Sequence, residues 1–187
     1  MKPKVVIIGA GGHAKIVCDL ILKLNKHEII GFADISVNES MSRKTDSIFY
    51  LNYKIIANQE SLTKLFDQCD HFIIALGNNK KRAHYYDQMK HQLIPLCLIH
   101  PNANVSSTAI IGQGSVILAN AVVNSNSIVA ENCILNSGVI VDNDCRVDDH
   151  VYLKMGTLVG NNSMVHSFYT SVMGQIISPF SILETNV

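Results

Sequence analysis

Residues 138–156 read GVIVDNDCRVDDHVYLKMG and crowd Asp142, Asp144, Asp148 and Asp149 around Cys145 and His150. Carboxylates beside a thiol and an imidazole are the ingredients of a metal site or an acid–base centre. Spread along a repeating backbone, the same residues would be ordinary surface. Two other stretches carry groups suited to chemistry. GAGGHA, residues 9–14, supplies Gly9, Gly11, Gly12 and His13. GNNKKR, residues 77–82, supplies Gly77, Asn78, Asn79 and Arg82.

The glycine stretch follows an apolar run and opens a helical one, so its glycines would let backbone N–H groups approach a phosphate at a helix N-terminus. It also fits GxGxxA, with Asp34 about twenty residues on, where a dinucleotide fold places its ribose-binding acid. Three readings follow: a phosphate or nucleotide-sugar site, an NAD site, or a structural tight turn. The surrounding unit is roughly half the size of a full dinucleotide fold, which disfavours NAD. The second stretch lies at the carboxyl end of a later strand, the edge at which ligands gather in open α/β sheets. Asn78, Asn79 and Arg82 there would bind a sugar or phosphate, or simply cap a helix and carry solvated charge.

Composition limits the options. The chain has 187 residues, 48% hydrophobic and 16% charged, enough for one or two domains with a real core. No apolar run approaches the roughly 20 residues that span a bilayer. The start, MKPKVVIIGAGGHA, does not read as a signal peptide, so a cytoplasmic protein without membrane insertion is expected. Cys18, Cys69, Cys97, Cys133 and Cys145 are scattered and form no CxxC pair, which predicts reduced thiols rather than disulfides or zinc. Residues 1–100 hold 13 Lys and Arg against 9 Asp and Glu, a balance of +4; residues 101–187 hold 2 against 6, a balance of −4. Neither half has the basic patch of a nucleic-acid binder.

Two periodicities must position the chemical groups. Residues 1–100 alternate strands and helices: strands at 4–8, 28–34, 71–76 and 93–99, helices at 13–24 and 79–89, a short helix from an Asn58 cap to about 67, and a polar loop over 35–48. This predicts a parallel α/β domain. From Val105 the period becomes six. Val105, Ile111, Ile117, Val123, Val129, Leu135, Val141, Val147, Leu153, Val159, Val165, Ser171 and Ile177 fall on every sixth residue, and all but Ser171 are aliphatic. The fourth residue after each is mostly small, from Ala109 and Ser115 to Thr157 and Ser163. This is the pattern of a hexapeptide parallel β-helix over 101–187, whose ends require capping or association. On that frame Asp142 and Asp144 flank Asn143 in one hexad while Asp148 and Asp149 lie in the next. A shared metal is therefore not expected.

Taken in order, IIGAGGHAK, GFAD, IIALGNNKKR and LIHPNANVSSTAIIGQGSVI make the chain resemble the sialic acid O-acetyltransferase and bacterial sugar N-acetyltransferase family, the NeuD/PglD-like group. The resemblance implies a Rossmann-like sugar-binding half, a left-handed β-helix, a homotrimer, acetyl-CoA as donor without a metal, and a sugar acceptor in bacterial surface-glycan biosynthesis. It assigns substrate binding to Gly9, Gly11, Gly12, His13, Asp34, Gly77, Asn78 and Asn79. It places the family's catalytic histidine at Asn143, followed by Asp144 and Cys145, and sets Tyr152, Gly160 and Asn161 on the acetyl-CoA side, where Tyr152 replaces a second family histidine. The family's terminal Gly-x-Pro-Ala segment does not precede Val187. Asparagine does not titrate, and a positioned base contributes about 10²–10⁴ in rate. Two expectations therefore stand together: an acetyltransferase whose base is His150 or His166, or a non-catalytic homologue that binds a nucleotide sugar or scaffolds a biosynthetic partner.

Overall fold

The computed structural model describes residues 1–35 and 44–185. Most of the polar loop expected over 35–48 lies outside the described residues. The chain divides into two compact units, residues 1–77 with 84–96, and residues 78–83 with 97–187.

The first unit is built on a six-stranded sheet. β1 (Lys4–Ile8) is followed by α1 (Gly12–Leu24), β2 (Glu28–Asp34), β3 (Ile48–Tyr50), β4 (Tyr53–Asn58), β5 (His71–Ile74), α2 (Asn79–Met89) and β6 (Ile94–Pro95), in the spatial order β3-β4-β2-β1-β5-β6. β1 pairs in parallel with both β2 and β5, so its apolar residues Val5 to Ile8 are fully buried. That double burial explains a continuous apolar run rather than an alternating one. Asn58 caps a 3-10 helix at Gln59–Leu65: its Oδ1 accepts from Ser61 N at 3.1 Å, and Ser61 Oγ accepts from Asn58 N at 2.9 Å. This reciprocal pair satisfies two exposed donors at once.

Two features depart from the expectation. β3 and β4 form an antiparallel hairpin on the sheet's edge, turning at Leu51 and Asn52 with φ of 46° and 66°. The strand expected over 93–99 is two strands. Ile94–Pro95 completes the first sheet, while Leu98–Ile99 pairs with Val116–Ile117 and starts the repeat.

The second unit is a left-handed parallel β-helix. Each two-residue strand pairs with the one 18 residues later, as Val116 with Ile134 and Ile134 with Tyr152. Eighteen residues are three hexads, so the coil has three faces, with four, five and five strands. The inward series is the aliphatic one, buried from Ile117 to Val165, and it extends at both ends to Ile99 and Leu183. Ser171 breaks the series without breaking the core, because its hydroxyl lies 2.7 Å from Thr157 Oγ1 and accepts from Lys154 N at 2.7 Å.

The small residues at the corners are more than small. Ser115 Oγ donates to the Ala130 carbonyl at 2.8 Å and accepts the Cys133 amide at 2.9 Å. Ser127 does the same with the Asp142 carbonyl and the Cys145 amide, and Ser163 with Ser178 and Ser181. The Cys133 and Cys145 thiols donate to the Asp148 and Gly160 carbonyls at 3.0 and 3.2 Å. Each such side chain ties one coil to the next through backbone groups that the two-residue strands leave unpaired.

From Gly114 to Phe180 the third residue of each turn is left-handed. Gly114, Asn120, Asn126, Asn132, Gly138, Asp144, His150, Gly156, Asn162, Phe168, Gly174 and Phe180 all have φ between 54° and 72°. Glycine and asparagine tolerate that region best, which is why they dominate the column.

Ser127→Ala should remove a donor to the Asp142 carbonyl and an acceptor for the Cys145 amide, both inside the coil. The expected loss is about 1–3 kcal/mol in urea unfolding. A midpoint equal to that of the parent would show that the corner bonds do not hold the coils together.

Candidate functional site

In the first unit, the sheet topology gathers the glycine loop, Asp34 and Gly77 at the carboxyl ends of β1, β2 and β5. Gly9 has φ 124°, and a Cβ there would lie 2.7 Å from the Ala75 carbonyl oxygen. Its N–H donates to the Ala33 carbonyl at 2.8 Å. Gly9 is therefore required by the close passage of three strand ends. Gly11 and Gly12 differ: a Cβ at either meets nothing within 4 Å. Gly11 is the N-cap of α1 and makes no side-chain cap, and the first turn carries no acid. No Gly11 side chain caps this turn, and His13 is half-buried beside it with Asp34 buried at the end of β2. Such a turn favours an anion.

The second loop is more structural than its composition indicates. Asn78 Oδ1 accepts from Lys81 N at 2.9 Å and caps α2. Asn79 is buried, and its Nδ2 donates to the Phe168 and Tyr169 carbonyls and to Thr170 Oγ1 at 2.7, 3.0 and 2.8 Å. Arg82 is 1% exposed and donates from Nε to the Asn132 carbonyl at 3.0 Å and from a terminal nitrogen to the His150 carbonyl at 2.6 Å. Burial pushes its guanidinium down to about 10, still protonated near neutrality. The Asn79 amide nitrogen and the Arg82 guanidinium, expected to meet a sugar or phosphate, instead hold β-helix turn carbonyls.

The acidic stretch separates into corners. Asp142, Asn143 and Asp144 turn the chain between the strands Ile140–Val141 and Arg146–Val147. Asn143 Nδ2 donates to Asp144 Oδ2 at 2.7 Å, and Asn126 Nδ2 donates to Asp144 Oδ1 at 3.1 Å. These two bonds hold the Asp144 carboxyl below its usual range, which makes it a weak proton acceptor near neutrality. The Cys145 thiol is pushed up by burial and is no nucleophile. Asp148, Asp149 and His150 occupy the next corner. Among the described residues no group of three or more His, Cys, Asp and Glu could hold a metal ion.

The residues expected on the donor side are not brought together within one chain. Tyr152 lies on the first face, its hydroxyl accepting from Asn136 Nδ2 at 3.1 Å. Gly160 and Asn161 lie 18 residues after Asp142 and Asn143, one coil on at that corner. A Cβ on Gly160 would stand 2.6 Å from Pro179 N, so this glycine is fixed by coil stacking. The corner of His150 has a pocket of about 240 Å³ lined by Asn78, Asn79, Lys80, Phe168, Thr170 and Thr185.

Comparison with known proteins follows both halves. Residues 4–89 match the PglD N-terminal domain family. The UDP-N-acetylbacillosamine N-acetyltransferase of Bacillus subtilis (strain 168) is 31% identical over 118 residues, which are 62% of this chain and 51% of that protein. The match thus spans about half the length of that relative. The acetyltransferase domain of PglB from Neisseria gonorrhoeae FA1090 superposes with a TM-score of 0.68 at 28% identity, covering 100% of this chain and 93% of that one.

Sequence and fold thus make the chain similar to bacterial sugar N-acetyltransferases.

An H-to-N mutant of the perosamine N-acetyltransferase of Caulobacter crescentus, in complex with CoA and GDP-perosamine, shares the fold at TM-score 0.74 and 24% identity over 98% of this chain and 90% of that one. Within this fold, sequence reasoning missed the column Asn132, His150, Phe168. His150 and Phe168 place large rings at left-handed positions and stack on each other with centroids 5.0 Å apart. Bulky residues there carry strain that small ones avoid. The signal was present as these two rings, with Phe180, at a turn position otherwise mostly held by Gly and Asn.

Arg82→Met should keep much of the side-chain volume and leave the Asn132 and His150 carbonyls unpaired. We expect a loss of about 2–3 kcal/mol in chemical unfolding. An unchanged midpoint would mean that these bonds are not structural.

Proposed function

We propose that this protein transfers an acetyl group from acetyl-CoA to the amino group of a nucleotide-linked amino sugar, in the cytoplasm, for bacterial surface-glycan biosynthesis. The observation that carries the reading is an open, uncapped glycine turn in the same chain as an 18-residue-coil β-helix. The PglB domain of Neisseria gonorrhoeae, similar over the whole chain, is also described in complex with acetyl coenzyme A.

In this reading Gly11, Gly12 and His13 receive the nucleotide phosphates, with Gly9 shaping the turn, Asp34 beside it and Gly77 and Asn78 bounding the later loop. On the donor side, Tyr152, Gly160 and Asn161 would come together only between copies of the chain. The phosphates of coenzyme A need cations, and residues 78–83 add Lys80 and Lys81 to the Arg146 and Lys154 of the β-helix unit. Further copies have a surface to meet: Ile140, Leu158 and Ile176 point outward along the second face, 38, 38 and 74% exposed. That stripe supports a homotrimer.

Asn143 and Asp144 stand where the resemblance puts catalysis, and neither is a good proton acceptor. Their contribution is confined to hydrogen bonding. This favours nitrogen over oxygen as the acceptor. A neutral amine attacks a thioester through its own lone pair, whereas a hydroxyl needs a base to become nucleophilic. The second reading, a nucleotide-sugar-binding homologue without turnover, rests on the same Asn143.

The test is thiol release from acetyl-CoA with UDP- and GDP-linked amino sugars and their hydroxyl counterparts. Turnover is expected with the amino sugars only. Gly12→Asp should raise the KM for the nucleotide sugar at least tenfold while thermal stability holds, since a helix N-terminus welcomes an acid but that acid repels a phosphate. Silence toward every acceptor, with nucleotide-sugar binding retained in calorimetry, would decide for the second reading.

A further inference from the structure

Asn143 is held at its backbone and at one end of its side chain, and the other end is open. Its N–H donates to Asp142 Oδ1 at 2.9 Å, and its carbonyl accepts the Asn162 amide at 3.1 Å. Its Nδ2 donates to Asp144 Oδ2 at 2.7 Å. Both partner acids are fixed in turn from the preceding coil. Asn124 Nδ2 donates to the same Asp142 oxygen at 3.0 Å, and Asn126 Nδ2 donates to Asp144 Oδ1 at 3.1 Å.

This arrangement decides which way the Asn143 amide points. An ionised carboxylate only accepts, so the atom facing Asp144 is the amide nitrogen and the amide oxygen faces away. Among the described residues no hydrogen bond reaches that Oδ1, and Asn143 is only half-buried. The corner therefore presents a single oriented acceptor. The carboxylate behind the amide polarises it toward its oxygen and strengthens whatever bond that oxygen accepts.

An amide oxygen accepts a hydrogen bond without taking the proton. A neutral amine carries two N–H bonds and one lone pair. Giving one N–H to Asn143 Oδ1 fixes the nitrogen and leaves the lone pair to face a thioester. Fixing a reacting nitrogen in this way lowers the cost of bringing it to the carbonyl carbon.

We propose that Asn143 Oδ1 receives the amino group of the sugar, and that Asp144 is the positioning residue that keeps this oxygen outward. The inference rests on the amino-sugar substrate of the reading above. It keeps the acceptor at the corner to which the resemblance assigns catalysis. Asn143 is there a binding residue for an N–H donor and not a base.

The experiment compares, by calorimetry, a nucleotide-linked amino sugar with its deoxy analogue, in which hydrogen replaces the amine. It is run at about pH 9, above the usual range of an α-amino group, so that attraction of an ammonium to the nearby carboxylates does not mimic the contact. The full-length parent should bind the amino sugar about fivefold more tightly than the analogue. In Asn143→Ala the two should bind alike, with acetyl-CoA affinity and thermal midpoint close to the parent's. An asparagine at position 144 offers one acceptor to two donors, so Asp144→Asn should lose part of the preference. Added to Asn143→Ala, Asp144→Asn should change nothing further, which a merely structural role would not give. Thiol release from acetyl-CoA, measured alongside, should show kcat/KM for the amino sugar falling about fivefold or more in Asn143→Ala. A preference absent from the parent, or one that survives Asn143→Ala, overturns the inference, and thiol release by the parent then leaves the transferase reading standing. A further loss in the double variant overturns the positioning role of Asp144. A parent that releases no thiol but loses its preference in Asn143→Ala keeps the contact and overturns the transferase reading. A parent that binds neither ligand overturns both.

Discussion

The structure depends on how its coils hold one another where no strand pairs. A two-residue strand satisfies few backbone groups, and every corner would otherwise bury carbonyls and amides without partners. Ser115, Ser127 and Ser163 solve this with one hydroxyl each, donating to a carbonyl 15 residues on and accepting an amide 18 residues on. Cys133 and Cys145 supply the donating half with a thiol. The aliphatic series fills the prism, but these bonds fix the rise from coil to coil. That rise in turn sets which side chains stack into columns.

Columns are what make chemistry available on this fold. Side chains 18 residues apart lie one above another, so Asp148 meets His166, Asn132 meets His150, and Asn126 meets Asp144. Stacking thereby sets a carboxylate beneath one imidazole and an uncharged amide beneath the other. The acidic stretch 138–156 is divided by the same rule: two of its acids turn one corner, two the next, and no metal site forms from the four.

Much of this was legible in the sequence. The six-residue beat gave the β-helix and its inward faces, and Asn58 and the glycine turn announced their helix starts. What escaped had physical causes. The edge hairpin at 48–58 turns through Leu51 and Asn52, and a leucine at a left-handed position hides the turn. The run 93–99 serves two sheets, and a continuous apolar run does not show where it is shared. Asn79 and Arg82 are polar in composition but are committed to β-helix turn carbonyls, with partners 50 or more residues away. The Asp148–His166 pair is invisible to a linear scan because its members meet only through the 18-residue coil.

The account turns on the proposed acetyl transfer to the nitrogen of a nucleotide-linked amino sugar. Incubation with acetyl-CoA labelled with ¹³C at the carbonyl and a nucleotide-linked amino sugar, followed by carbon NMR of the product, tests this most directly. The account predicts one new amide carbonyl resonance coupled to the sugar N–H. An ester resonance, or label that stays on the thioester through prolonged incubation, would contradict it.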